Sequence, residues 1–176
     1  MNEHPDIEPV VCGLCGEDNY DIVYKTYSGD LALGQDGYKI TDHDVNAPVR
    51  IVRCRRCGLS YMNPRFSMSR LLEGYNRMAD EAYLEQEAGR RLSARRILKK
   101  LKRSFKPGAR LLDVGCATGF LLDEARRQGW DVHGVELSRW AVDFAKDKMG
   151  LGAVFHGTLK EAGFAANHFD VVVLQD

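Results

Sequence analysis

The sequence predicts an α/β fold in which a small β-rich module precedes a parallel sheet. Two observations support this fold class. From residue 110 onward, segments with strand character alternate with helical segments, which is typical of a parallel sheet. Before residue 63, four cysteines stand in two C-x-x-C pairs among β-rich segments and turn-forming residues.

Composition places the chain among ordinary globular proteins. Of its 176 residues, 44% are hydrophobic and 28% are charged, and 25 basic side chains balance 25 acidic ones. A formal charge of zero provides no overall field that would attract nucleic acid or an anionic membrane. No secretion signal or membrane-spanning run is recognisable, so we expect a cytoplasmic protein without a membrane partner.

Residues 1–63 form the first predicted module. Residues 21–28 and 48–54 have strand composition, whereas residues 28–37 and 41–48 are rich in turn formers. The motifs CGLCG and CRRCG contain Cys12, Cys15, Cys54 and Cys57. In a reducing compartment such pairs are more often zinc ligands than disulfides, and four thiolates suit a closed, structural zinc site. Free or redox-active thiols are the alternative interpretation.

Residues 64–107 are predicted to form a helical linker, with Pro64 and Ser67 as start signals. A longer helix is expected over residues 81–105. One of its faces carries apolar residues at helical spacing, namely Ala94, Ile97, Leu98, Leu101 and Phe105. We expect this face to pack on a sheet.

The third predicted region, residues 108–176, supplies the parallel sheet. The predicted strands are 110–114, 131–136, 153–155 and 169–174, and the predicted helices are about 119–128 and 138–148. Right-handed crossovers should connect the strands. The run FDVVVL is apolar without alternation, which predicts an interior strand buried on both faces.

The turn after the first of these strands is a candidate ligand site. Gly115 and Gly119 allow close backbone approach, and the spacing G-x-x-x-G differs from both the dinucleotide fingerprint and the phosphate-binding P-loop. Glu136 ends the second strand, where a carboxylate accepts hydrogen bonds from ribose hydroxyls. The expected ligand therefore contains a ribose and no pyrophosphate. The alternative is that the glycines only shape a tight turn.

The segments LLDVGCATGFLL and VHGVELS resemble the S-adenosylmethionine-dependent methyltransferases of Rossmann-like fold, whose first motif is D-x-G-x-G-x-G. The resemblance covers residues 108–176. It implies an S-adenosylmethionine site formed by Asp113, Gly115, Cys116, Ala117, Gly119 and Phe120, with Glu136 at the ribose and Leu137 near the adenine. Ala117 replaces the middle glycine of the motif, and we expect cofactor binding to tolerate its methyl group.

The same resemblance extends to the later strands. Many relatives carry an acid that binds the adenine amino group where this chain has Thr158, so the Thr158 hydroxyl or the Leu159 amide is expected to take that role. Gln175 and Asp176 are expected at a strand end that faces the reaction centre. No catalytic residue is identified, because in this family such groups usually follow the fourth strand.

The segment VRCRRCGLSYMNPR resembles the second cysteine pair of methyltransferases that carry a zinc ribbon ahead of the cofactor domain. Such enzymes often modify sugars or natural-product intermediates, which implies a small-molecule methyl acceptor. An RNA methyltransferase using the ribbon and a basic helix is one alternative function. A cofactor-binding module without catalysis is the other.

A basic run accompanies the long helix, and it has two interpretations. Its members are Arg90, Arg91, Arg95, Arg96, Lys99, Lys100, Lys102, Arg103, Lys106 and Arg110. We favour a solvated helix face, because no aromatic platform for base stacking interleaves the charges. Contact with RNA phosphates is the alternative, which makes a nucleic-acid partner the less favoured one.

The predicted sheet has fewer strands than the family implies. The family sheet has seven strands, whereas this sequence predicts four and ends at Asp176. We therefore expect either a chain truncated after the fourth strand or a homo-oligomer or second chain that covers the open sheet edge. Little or no turnover is expected from the isolated chain.

Overall fold

The computed structural model describes residues 7–25 and 50–175, so most of the turn-rich sequence predicted between 28 and 48 lies outside the described residues. The chain divides into two compact units, with the boundary between Gly74 and Tyr75. The sequence places its boundaries at residues 63 and 107 instead. Residues 87–101 form a helix that packs against the helix at residues 120–126, which is the physical reason why they group with the sheet that follows them.

The first unit contains short antiparallel strands. The strands are β1 Ile7–Glu8, β2 Tyr20–Tyr24, β3 Ile51–Cys54, β4 Ser60–Met62 and β5 Arg65–Phe66. β1 pairs with β5, and a second sheet has the order β2-β3-β4. Val52 and Cys54 of β3 are buried while Arg53 between them is exposed, as strand alternation requires.

Three helices precede the parallel sheet: α1 Met68–Arg77, α2 Glu81–Glu85 and α3 Glu87–Leu101. The start signal at Ser67 is confirmed, since its Oγ accepts a hydrogen bond of 3.3 Å from the Arg70 amide. The continuous helix predicted over residues 81–105 is wrong, because the chain leaves helical geometry at Gln86 with φ −87° and ψ 6°. No proline or glycine marks that position in the sequence.

The second unit contains a four-stranded parallel sheet. Its elements are β6 Arg110–Val114, α4 Phe120–Arg126, β7 Asp131–Glu136, α5 Arg139–Asp147, β8 Val154–His156, α6 Leu159–Ala162 and β9 Val171–Leu174. The strand order is β8-β7-β6-β9, and every pairing in it is parallel. The predicted α/β fold with alternating strands and helices is confirmed.

The strand order reverses direction at β6, and this reversal places the ligand crevice. β7 and β8 extend the sheet on one side of β6, whereas β9 pairs on its other side. The register aligns Val114 with both Val135 and Leu174, so the loops that follow these strands begin at one edge of the sheet. Open α/β sheets bind ligands at such a switch point, beyond the carboxyl ends of the strands.

The core of this unit lies between the sheet and the helices packed on it. Buried core residues include Leu98 of α3, Leu122 of α4 and Val142 of α5. The predicted apolar face of α3 is confirmed, because Ala94 and Leu98 are buried and Leu101 packs against the same cluster. α3 also packs along α4. None of the helices in the described parts of the chain combines the length and the apolar character needed to cross a membrane.

The expectation of a strand buried on both faces at FDVVVL is wrong. Within the described residues β9 stands at the end of the sheet and pairs only with β6. Val171 is buried, but Val172 and Leu174 expose 50% and 75% of their surfaces. An apolar run without alternation therefore marks an edge strand here, and the expected open edge is present among the described strands.

Candidate functional site

A cavity of about 1050 Å³ lies at the carboxyl edge of the parallel sheet. Its walls come from the loop after β6, the end of β7, the loop after β8, the residue after β9, and the helices α2 and α3. All predicted cofactor residues except Gly119 line it: Asp113, Gly115, Cys116, Ala117, Phe120, Glu136, Leu137, Thr158, Leu159 and Gln175. Asp176 lies outside the described residues.

Gly119 serves packing instead of lining the cavity. It precedes α4 with φ +85°, a conformation that favours glycine. A Cβ at this position would collide with the Leu151 side chain and contact Ala145 at 3.4 Å. Gly115 differs, because no atom lies within 4 Å of the position its Cβ would occupy. Of the two motif glycines, only Gly115 presents open backbone to the cavity.

The loop after β6 is tied to the end of β7. Amides of Gly115 and Cys116 donate to the Val135 carbonyl at 2.8 and 3.2 Å. The Ala117 amide donates to Glu136 Oε2 at 2.8 Å. Ala117 adopts φ +47°, which is uncommon for a residue with a Cβ and indicates local backbone strain. Its methyl group packs in a cluster with Tyr83 and Phe120.

Glu136 is held by backbone amides rather than by solvent. In addition to the Ala117 bond, its Oε1 accepts from the amides of Leu137 at 2.7 Å and Ser138 at 2.8 Å. Only 6% of the residue is exposed. These three bonds fix the carboxylate at the rim of the cavity. Each carboxylate oxygen can accept more than one hydrogen bond, so Oε2 keeps capacity for a ligand hydroxyl.

Asp113 is a buried carboxyl group that lacks a compensating partner. It is 4% exposed and lines the cavity, and its Oδ1 has no hydrogen-bond partner among the described residues. Burial, with a smaller contribution from the nearby Glu136, raises the pKa of Asp113 to about 7. A cation in the cavity would stabilise the ionised form.

The helical wall of the cavity contains a stack of aromatic rings and a guanidinium. The rings of Tyr83 and Phe120 lie parallel, with centroids 5.9 Å apart. The Arg90 Cζ lies 3.6 Å from the centroid of the Tyr83 ring. Burial is the main cause that raises the pKa of the Tyr83 hydroxyl. The stack joins α2 and α3 to the start of α4.

Two basic residues of α3 form ion pairs with α4. Arg91 Nη1 donates to Asp123 Oδ2 at 2.8 Å and to Glu124 Oε1 at 3.1 Å. Arg95 binds both oxygens of Glu124 at 3.0 Å. The interpretation of the basic run as a solvated face is therefore wrong for Arg91, whose side chain is 13% exposed, and it is also wrong for Arg90, which lies over the Tyr83 ring. Arg90 precedes the buried Ala94 by one helical turn, and this spacing could have revealed its inward position.

The loop after β8 ends in a capped turn. The Thr158 hydroxyl accepts from the Glu161 amide at 3.2 Å and donates to Glu161 Oε2 at 2.7 Å. The Thr158 amide also donates to Glu161 Oε2 at 2.7 Å, which completes a capping box. The Leu159 amide takes no part in this capping box, so it is the better placed of the two groups that were expected to bind the adenine.

In the first unit, the two C-x-x-C pairs converge. The Sγ atoms of Cys12, Cys15, Cys54 and Cys57 all lie within 4.8 Å of one another. Cys12 and Cys57 are separated by 3.5 Å, and Cys15 and Cys54 by 3.6 Å. The two pairs adopt the same turn, in which the glycine amide after the second cysteine donates to the carbonyl of the first cysteine: Gly16 to Cys12 at 2.8 Å, and Gly58 to Cys54 at 3.0 Å.

The four thiols influence one another's ionisation. Burial opposes ionisation of Cys12, but hydrogen bonds from the amides of Leu14 and Cys15 outweigh it and lower the pKa to about 7. The Glu17 amide favours the Cys15 thiolate, yet burial and the neighbouring sulfurs raise the pKa of Cys15 to about 12. Several thiolates so close together need a neighbouring cation.

Comparison with known proteins gives a family match. Residues 83–176 match the family described as "Methyltransferase domain". The chain is 38% identical over 72 residues to magnesium-protoporphyrin O-methyltransferase of Rhodobacter capsulatus, an alignment that covers 39% of this chain and 32% of that protein. The chain thus spans about a third of the length of this curated relative.

Solved structures resemble the chain over about half of its length. DesVI of Streptomyces venezuelae is 25% identical, with a TM-score of 0.44, covering 56% of this chain and 44% of that one. The magnesium protoporphyrin IX methyltransferase of Synechocystis PCC 6803 with bound SAM is 23% identical, with a TM-score of 0.43, covering 51% and 45%.

Proposed function

The chain belongs to the methyltransferase domain family, and we propose that its second unit binds S-adenosylmethionine and serves methyl transfer to a small molecule. One observation carries the proposal: the glycine loop, the orphaned Asp113 and the amide-bound Glu136 line one cavity at the switch point of the sheet. A ribose, an amino-acid end and a sulfonium would each find a suitable group there.

The residues present fit this cofactor. Glu136 retains acceptor capacity for ribose hydroxyls, and its amide bonds hold it in place. The Leu159 amide and the Leu137 side chain would contact the adenine. Asp113 offers an oxygen, Oδ1, that has no partner among the described residues, which suits a positively charged ligand. The cavity of about 1050 Å³ exceeds most drug-sized pockets, which leaves room for part of an acceptor.

The chemical contribution of the protein would be alignment and exclusion of water. S-adenosylmethionine supplies a methyl group that its sulfonium already activates for displacement. Gly115, Ala117 and Glu136 would hold the cofactor at the sheet edge, and Tyr83 with Phe120 would close the cavity on the helical side. Proximity of donor and acceptor accounts for much of the rate in such transfers.

We propose a small-molecule acceptor, with sugars and natural-product intermediates as the first classes to test. The curated relative's name identifies a porphyrin substrate, which supports the small-molecule class. RNA is the less favoured acceptor, because Arg91 and Arg95 of the basic run already bind acidic residues of α4. A paired guanidinium has less capacity to neutralise a phosphate.

For the four-cysteine cluster we propose a structural zinc ion. A tetrahedral site with zinc-sulfur bonds of about 2.3 Å has sulfurs about 3.8 Å apart. The Sγ–Sγ distances of 3.5 and 3.6 Å, and the limit of 4.8 Å that holds for all four sulfurs, are close to this value. Four thiolate ligands complete the coordination of zinc, so a role in stability and not in catalysis follows.

Titration calorimetry with S-adenosylhomocysteine tests the cofactor site. Glu136→Gln removes the charge that would bind the ribose, and we expect affinity to fall about 10-fold or more. Asp147→Asn, an exposed change on α5, is the control and should leave affinity unaltered. Thermal unfolding of each variant verifies that it is folded. A wild-type protein that releases no heat with this ligand would refute the proposal.

A further inference from the structure

The four cysteines of the first unit differ in their exposure to solvent. Cys12 and Cys54 are buried, with 1% and 2% of their surfaces exposed, and Cys15 is half-buried. Cys57 is the exposed member of the cluster, and it lies in the turn between β3 and β4. A reagent in solution therefore reaches Cys57 before the other three cysteines.

Sulfur contacts connect each C-x-x-C motif to the other. Cys57 Sγ lies 3.5 Å from Cys12 Sγ, although the two residues are 45 positions apart in the sequence. Cys54, the other cysteine of the second motif, has its Sγ 3.6 Å from Cys15 Sγ. Two cysteines in such contact form a disulfide after a small movement of one side chain. Because Cys57 lies in a turn, it can make this movement without a shift of the paired strands.

We propose that Cys57 is a site of oxidation by hydroperoxides, and that its oxidation links it to Cys12 in a disulfide between the two motifs. This inference rests on the proposed zinc site. A disulfide sulfur lacks the thiolate charge that binds zinc, so the reaction removes two of the four ligands and releases the ion. The cluster then responds to an oxidant in addition to stabilising the first unit.

The reaction consumes two thiolates and one molecule of hydrogen peroxide. The Cys57 sulfur attacks one peroxide oxygen, the O–O bond breaks, hydroxide leaves, and Cys57 becomes a sulfenic acid. The Cys12 sulfur then attacks the Cys57 sulfur, so that the S–S bond forms, the S–O bond breaks and a second hydroxide leaves. The two sulfurs together lose two electrons to the peroxide, and both hydroxides take protons from the buffer to become water.

Disulfide mapping of the full, zinc-loaded chain tests this assignment. The chain is treated with hydrogen peroxide, its remaining thiols are alkylated, and its tryptic peptides are identified by mass spectrometry. Trypsin cleaves after Arg55 and Arg56, which separates Cys54 from Cys57, and fragmentation of the linked peptides identifies the partner of Cys57. We expect the linkage of Cys57 to Cys12 to exceed either linkage within a motif by about 10-fold or more.

Zinc is followed in the same samples with a chromophoric chelator. We expect about one zinc ion to be released for each disulfide formed, because a site that keeps two thiolates no longer encloses the ion. Reduction with dithiothreitol and addition of zinc should restore the zinc content, since a disulfide is reversible.

Variants separate the two steps of the oxidation. Cys12→Ser removes the sulfur that closes the disulfide, so the sulfenic acid at Cys57 should persist and react with dimedone. Because this variant also loses a zinc ligand, brief dimedone trapping in the wild type is the second measurement, and the label should appear first on Cys57. Cys116→Ser is the control: it changes the buried cysteine of the second unit and should leave zinc release within about twofold of wild type.

Each result has a definite consequence. A first disulfide within either motif, or between Cys15 and Cys54, would overturn the inference, as would dimedone labelling of Cys12 ahead of Cys57. A zinc-loaded chain that keeps its zinc and its thiols in excess peroxide would refute this inference and leave the proposed zinc site standing. A wild-type chain that binds no zinc would instead refute the proposed zinc site, and the mapped linkage would then decide the pairing of Cys57 alone.

Discussion

Asp113 is an acid whose burial makes stability depend on pH. Burial, and to a lesser extent Glu136, raises its pKa from 3.8 to about 7. Between those values the folded chain holds a proton that the unfolded chain has released. The contribution of Asp113 to the free energy of unfolding is therefore complete below the pKa that Asp113 has in the unfolded chain. It is lost as the pH rises through about 7.

Asp113→Asn should remove this dependence. The neutral amide keeps the shape of the side chain and has no ionised form, so the variant should gain stability relative to wild type as the pH rises. We expect the difference in unfolding free energy to change by up to a few kcal/mol between about pH 4 and about pH 8. Urea denaturation across that range measures it.

Other ionisable side chains near Asp113 must be controlled in that experiment. Glu136, Cys116 and Tyr83 all lie within its electrostatic range. The subtraction of wild-type and variant curves cancels their contributions, provided that their own partners are unchanged. Asp147→Asn on the exposed surface of α5 should give a difference that is flat with pH. If the unfolding free energies of the wild type and of Asp113→Asn differed by a constant amount at every pH, the raised pKa of Asp113 would be contradicted.

Single residues also show how far the sequence could lead. The position of Glu136 at the end of a strand was predictable, because the apolar run before it marks the strand. Its three amide bonds were not, since they depend on how the loop after β6 folds back on β7. The role of Gly119 was mistaken for the same reason: its neighbour Leu151 lies far away in the sequence.

At the scale of elements, Gly134 controls how closely α4 packs on the sheet. A Cβ at Gly134 in β7 would stand 2.7 Å from Cys116 Sγ and 2.8 Å from Leu122 Cδ1. Leu122 is fully buried in α4, so it has little room to withdraw. The glycine therefore permits the loop and the helix to approach the strand.

Gly134→Ala should destabilise the protein by about 1–3 kcal/mol, the range for overpacking a well-filled core. Gly152→Ala is the matched control, because no atom lies within 4 Å of the Cβ it would add and its φ is not positive. Chemical denaturation of both variants measures the difference. Equal stabilities for the two variants would show that the core relaxes around the added methyl group.

The helices illustrate which local signals are sufficient. Periodicity predicted the buried face of α3 through Ala94 and Leu98, because an amphipathic helix must bury its apolar side. The same periodicity could not reveal the break at Gln86, where the residues on either side favour helix. Arg90 was missed because a charged residue on an apolar face was assigned to solvent, whereas an aromatic ring receives it.

At the scale of the molecule, the described sheet ends in an apolar edge. β9 pairs on one side only among the described strands, and Val172 and Leu174 are exposed. Exposed apolar edge strands favour association with a further strand. Our expectation that a homo-oligomer contact or a second chain covers this edge remains a prediction.

The chain as a whole contains five cysteines, and the structure places them in two separate regions. Four lie together in the first unit, and Cys116 lies buried in the cavity loop of the second. We therefore expect one zinc ion per chain by elemental analysis. Cys12→Ser should lower that content well below one, because it removes a ligand that backbone amides help to ionise.

Cys116→Ser is the matched change for this measurement, since it replaces the remaining cysteine and should leave the zinc content at one per chain. Burial holds the pKa of Cys116 well above its ordinary value, so it is a poor thiolate donor. Loss of zinc from this variant, or full zinc content in Cys12→Ser, would contradict the assignment. Thermal unfolding with and without a chelator tests whether the bound ion stabilises the fold, as a closed four-thiolate site should.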